Sequence, residues 1–218
     1  MATNQPDLDQ EVINLITRSP GDSIAFPSLS LPDMKAILTL SLFLVVGCAS
    51  LTATPNSPSD ENRLHPDYAP TPFSAEELYR GFPEGTELKF ELGEPDQPHQ
   101  FQTMTFTGIT ETEVLVQVDM ADADGTSLPA TPPSKAKWAD LQSHGSFPAA
   151  TTTISREYKV SKFGKVECWH YTVSSAEEGP SVVSHYWWDV KRPGPPIELT
   201  TEADGVTVFK LEMISDSR

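Results

Sequence analysis

Leu88, Phe90 and Leu92 alternate with Glu87, Lys89 and Glu91, and Val114, Val116, Val118 and Met120 repeat the same spacing of two. Successive side chains of a strand point to opposite faces, so this period predicts strands with one apolar and one polar face. The run 102–107 supplies a strand between them, joined to the next across the polar turn "TETE". Longer strand-like runs follow at 152–160, 165–173, 181–190 and 205–214, with a short one at 197–200. The segments between them, "KFG", "SAEEGP" and "KRPGPP", carry turn chemistry, and Asp204-Gly205 predicts a two-residue hairpin.

Helical signals are confined to two places. Ser74 and Glu77 form a capping-box pattern ahead of a short helix that Gly81 ends. "SKAKWADLQSHG" predicts a second, capped by Ser134 and stopped by Gly145, with Trp138 and Leu141 on one face to seal an end of the sheet. The expected fold is mainly β: one curved, half-barrel-like antiparallel sheet of about seven to nine strands packed on two short helices, over residues 74–218. Element order, together with "FGKVECWHY" and "PGPP", resembles the β half-barrels with a covering helix found in periplasmic lipoprotein carriers and in secreted β families. That resemblance implies a ligand-binding role.

The run "MKAILTLSLFLVVGCAS", residues 34–50, breaks the pattern. Its apolar core, 36–46, has eleven residues, whereas a helix needs about twenty to span a bilayer. Lys35 precedes the core, and Gly47, Cys48, Ala49 and Ser50 follow it, which is the charge, apolar and small-residue order of a secretory signal. Val45-Val46-Gly47-Cys48 resembles the lipobox of bacterial lipoproteins residue by residue. The resemblance implies cleavage before Cys48, a diacylglycerol thioether on its thiol and acylation of the new amino group. Ala49, where an aspartate would signal inner-membrane retention, implies delivery to the outer membrane, with the membrane itself as a partner through the lipid. Residues 1–33 hold five acids and Arg18 as their one base, so Met34 is read as the initiator and 1–33 as an extension upstream of it. The boundaries expected are therefore 34–47 for the signal peptide, 48–73 for a lipidated cysteine and Pro/Ser-rich tether, and 74–218 for the β domain. Such a tether spans about 30 Å if flexible.

Charge and chemistry narrow the function. With 15 basic and 31 acidic residues the formal net charge is −16, which repels nucleic-acid phosphate. Nucleic acid is excluded as a partner. No phosphate loop, dinucleotide fingerprint, Gly-x-Ser-x-Gly elbow or paired zinc motif occurs, so neither a catalytic residue nor a cofactor is assigned. In "DMADADG", Met120 and Thr131 fall where a calcium loop needs carboxylates, leaving Asp122 and Asp124 as turn formers before Gly125. Cys168 and His170 share a strand face, and a hairpin over "SSAEEG" brings His185 opposite His170, but this trio is too small for a closed metal site, and no metal is expected. Trp187 and Trp188 must point to opposite faces; one joins the core, and Trp169, Trp187 and Trp188 are the candidates to line a groove for an apolar ligand or a protein. The reading is a non-catalytic envelope lipoprotein that binds a protein partner or apolar ligand; the alternative is an envelope hydrolase without a recognisable motif.

Overall fold

The computed structural model describes residues 57–175 and 181–218, so the lipobox, the Met34 initiator and the first part of the tether, 48–56, lie outside the described residues. Nine strands follow in chain order: β1 Thr86–Gly93, β2 Gln100–Thr107, β3 Glu113–Ala121, β4 Ser134–Lys137, β5 Thr152–Ser161, β6 Gly164–Ser174, β7 Val182–Asp189, β8 Glu198–Ala203 and β9 Val206–Asp216. Helix α1, Ala75–Gly81, precedes β1, and α2, Trp138–Ser143, follows β4. The strands form one sheet in the order β4-β3-β2-β1-β9-β8-β7-β6-β5, every neighbouring pair antiparallel. The sheet is open, with β4 and β5 at its edges. Two meanders thus meet at a central seam, where Phe90 of β1 pairs with Met213 of β9.

The period-two residues do what their spacing requires. Leu88, Phe90, Phe106, Val114 and Val116 are buried on one face, joined by Tyr171, Tyr186, Trp188, Leu211 and Met213 from the other meander. Both helices pack on this face. Phe82 stacks within 4.4 Å of Phe106 and 5.9 Å of Trp138, while Phe147, just beyond α2, lies 4.8 Å from Tyr186 and 6.3 Å from Trp188. Ser74 and Glu77 make the capping box reciprocally, each side chain accepting from the other's backbone N–H. Asp204 and Gly205 turn β8 into β9 with φ of 51° and 79°, the left-handed pair that a two-residue hairpin demands.

Two expectations are corrected. Ser134 does not cap a helix: Ser134–Lys137 is an edge strand paired to β3, with Ser134 opposite Val116, and α2 starts at Trp138. The helix waits because pairing with β3 supplies the backbone partners that a first helical turn would otherwise leave open. The domain also begins before residue 74. Ala69, Thr71 and Phe73 are buried, and the Tyr171 hydroxyl donates to Pro70 O at 2.7 Å. Thr71 Oγ1 sits fully buried, with its single proton shared between Asn62 O and Phe73 O, each at 2.9 Å, and accepts from Gln142 Nε2 at 3.0 Å. A buried polar group needs such partners, so this node fastens 57–73 to α2 and makes the segment part of the fold.

Candidate functional site

The second face of the sheet carries the chemistry. Strand alternation places Glu157 and Lys159 of β5, Cys168, His170 and Thr172 of β6, His185 and Trp187 of β7, Glu198 of β8 and Lys210 and Glu212 of β9 on it. The sequence places His170 opposite His185, but the register sets His170 against Trp187 and His185 against Thr172. The two imidazoles are therefore diagonal neighbours on one face. They still meet, His170 Nε2 lying 3.0 Å from His185 Nδ1. On its other side His170 Nδ1 is 3.1 Å from Glu157 Oε1, and the same oxygen accepts the Trp187 indole N–H at 2.7 Å. His170 and Trp187 stack almost parallel, centroids 4.5 Å apart at 8°.

Because a carboxylate only accepts, His170 Nδ1–H donates to Glu157, and the contact between His170 Nε2 and His185 Nδ1 holds one proton between the two rings. Burial holds the His170 pKa below the ordinary histidine range; the neighbouring His185 and the Lys159 cation push it the same way, against the pull of Glu157. Lys159 covers the far side of Trp187, its Nζ 3.8 Å from the ring centroid, and pairs with Glu198 Oε1 at 2.8 Å. Glu198 is buried, and its second oxygen lies 4.0 Å from Lys210 Nζ, which also holds Glu212 at 2.9 Å. Burial works against the Lys210 charge, yet the Glu212 hydrogen bond and the nearby Glu198 and Glu91 carboxylates prevail and raise its pKa. The face thus presents a continuous line of compensated charges from β5 to β9.

Cys168 lies beside this line without joining it. Its thiol is fully buried and pushed up to about 12, chiefly by burial and then by Asp189 and Glu157, so it is inert as a nucleophile at neutral pH. Among the described residues no cluster of three or more His, Cys, Asp or Glu has metal-holding geometry. Asp122 Oδ1 accepts the N–H groups of Asp124 and Thr126, which makes it a turn former. Of the groove candidates, Trp169 and Trp188 sit in the core, Trp169 beneath the Arg156 guanidinium at 5.1 Å and Trp188 edge-on to Tyr171 at 4.7 Å. Trp187 alone belongs to the second face. There it is only 9% exposed, roofed by His170 and Lys159.

The chain matches no known family model and no curated protein sequence. The site's meaning rests on its own geometry. A separate cleft of about 220 Å³ opens between Tyr158, Phe163, Lys165, Glu167, Lys191 and Arg192. Two of its cations are already engaged: Lys165 Nζ lies 4.5 Å over the Tyr158 ring, and Arg192 pairs with Asp189 and Asp216 at 3.2 and 3.5 Å. Sequence reasoning found the histidines but missed Glu157, Lys159 and Glu198. Their alternation in "REYKV" and "IELT" assigns a face to each, whereas the strand order that joins β5 to β8 through β6 and β7 is not local information.

Proposed function

We propose that the protein is a bacterial envelope lipoprotein, acylated at Cys48 and held at the outer membrane, whose β domain binds another protein through the second face of its sheet and catalyses no reaction. The anchor reading rests on Lys35, the short apolar core and Val45-Val46-Gly47-Cys48; among the described residues no helix is long and apolar enough to cross a membrane. One observation favours a protein over an apolar small molecule: Phe82, Trp138 and Phe147 fill the space between helices and sheet, where a carrier of this architecture would hold its cargo. The second face instead offers charges of both signs around a stacked Trp187, the kind of surface that orients a partner and sets specificity.

The anchor is tested in a bacterial host by palmitate labelling and amino-terminal analysis. Wild type should take up label and begin at Cys48, and Cys48→Ala should do neither; unlabelled wild type retaining Met1 overturns the anchor. For the face, a photo-crosslinker at Thr200, between His185 and Lys210 in the register, should give one discrete adduct in cells that is lost with Lys210→Glu. The same adduct from Gln97, in the exposed loop between β1 and β2, overturns the assignment.

The hydrolase reading retains one specific observation, the Glu157–His170–His185 chain, which ends in the His185 imidazole. Turnover of ester or peptide substrates by wild type that falls at least about a hundredfold in His185→Ala would establish it.

A further inference from the structure

Most basic side chains of the described residues are held in ion pairs with carboxylates of the same molecule. Lys137, Lys162, Lys165 and Lys191 are the exceptions: none has a carboxylate partner within ion-pair distance. Lys162, Lys165 and Lys191 gather at one end of the sheet. There the turn after β5 leads into β6, and the loop after β7 runs beside it, with the Arg192 guanidinium carbon 5.3 Å over the Phe163 ring. Lys165 and Lys191 line the cleft of about 220 Å³. In a chain of net charge −16 carboxylates are abundant, so two ammonium groups left without one in a single concavity are not a product of composition.

The carboxylates of the cleft are occupied elsewhere. Glu167 is held by Arg156 at 2.9 Å, and Lys191 adds only a weaker, longer-range pull on it. Asp189 accepts the Lys191 backbone N–H at 2.8 Å and pairs with Arg192 at 3.2 Å. The Tyr158 ring beneath Lys165 attracts the ammonium charge but leaves its N–H donors without an oxygen. We propose that this cleft binds a phosphate monoester, its dianionic phosphoryl group facing Lys165 and Lys191 and its organic body against Tyr158 and Phe163. Two unpaired cations match a dianion, whereas a carboxylate brings a single charge. Lysine suits this role because it meets phosphate as a point charge and needs no planar, two-pronged acceptor. The volume limits the body: small-molecule sites run to about 300–1,000 Å³, so this one fits a phosphoryl group carrying a few carbon atoms. Such a group comes from a soluble ester or from the head of a phosphatidic-acid-type lipid, and its chemistry at the lysines is the same. The site shares no residue with the Cys48 anchor or the His170 face, so neither of those readings falls with it.

The test titrates the full chain with glycerol 3-phosphate by calorimetry at pH 7.5, where the monoester is largely a dianion. Wild type should bind saturably, and the double variant Lys165→Gln/Lys191→Gln should bind at least about tenfold more weakly, the loss expected when charge-assisted hydrogen bonds are removed. Lys135→Gln/Lys137→Gln, which removes the same charge from β4, should bind as wild type does. Acetate should bind at least about tenfold more weakly than the ester. All four lysines are exposed, so circular dichroism should be unchanged in both variants. Flotation with phosphatidylcholine vesicles, with and without phosphatidic acid, reads the other source. A gain on adding phosphatidic acid that the cleft variant loses, without binding of the soluble ester, assigns the site to a lipid head-group. Wild type that binds neither the ester nor phosphatidic acid overturns the proposal. So does a cleft variant that binds like wild type, a β4 variant that weakens binding equally, or acetate that binds as tightly as the ester.

Discussion

Trp187 and Trp188 are consecutive residues of one strand, equally large and both buried, yet they live under different physics. Trp188 lies among Tyr171, Tyr186 and Phe147, in a layer of rings that α1, α2 and the 57–73 segment complete. Trp187 lies among Glu157, His170, His185 and Lys159, held by a charge-assisted hydrogen bond, a stack and a cation over its face. The first environment cannot rearrange without opening a void. The second consists of long polar side chains that can turn to water. Burial by itself therefore does not say what a residue is for; the ability of its neighbours to relax separates the part of this sheet that keeps the fold from the part able to meet something else.

That contrast can be broken most strongly by truncation. Trp188→Ala should lose about 3–5 kcal/mol of unfolding free energy and Trp187→Ala about half as much, because its polar neighbours collapse or hydrate. Urea unfolding followed by circular dichroism measures both, and equal losses would erase the distinction. Next in size, Tyr171→Phe removes the donor to Pro70 O and leaves a buried carbonyl unpaired, at a cost of about 1–3 kcal/mol. It should also make the chain near residues 57–73 more easily cut by protease, which a tether outside the fold would not show.

A third effect belongs to the second face alone. The folded protein holds the His170 pKa below its ordinary value, so between that value and about 6.5 the unfolded chain binds more protons than the folded one. The contribution is full above about pH 6.5 and is lost as pH falls through the folded-state value. Wild type should accordingly have a lower urea midpoint at pH 5.5 than at pH 7.5, with the difference reduced in His170→Gln; an unreduced difference would place the titration elsewhere. The smallest effect is an expected null. With its thiol pushed up to about 12 and no surface exposed, Cys168 should resist thiol reagents at pH 8 until denaturant is added.

Much of this organisation was legible because it is local. Period two in β1 and β3, with strand-like runs bounded by turn chemistry elsewhere, identified eight of the nine strands; the Ser74–Glu77 box identified α1, and Asp204-Gly205 fixed a hairpin. Alternation alone sent Trp187 and Trp188 to opposite faces. What escaped was decided at a distance. Ser134 looks like a helix cap until Val116 is placed beside it, and "HPDYAPTPF" looks like a linker until Tyr171 and Gln142 supply partners from far along the chain. The histidines were found by face, but their diagonal meeting depends on the length of the loop between β6 and β7, and the reach of Glu157 to Trp187 depends on which strand flanks β6.

The seam between β1 and β9 has a consequence for biogenesis. Because the strand order places the first and last described strands side by side in the middle, neither meander can complete its core before residues 206–216 have emerged from the ribosome. Contacts so far apart in sequence raise the contact order and slow folding. On the export route proposed above, such a delay would keep the chain unfolded for longer, the state in which a polypeptide is threaded across a membrane.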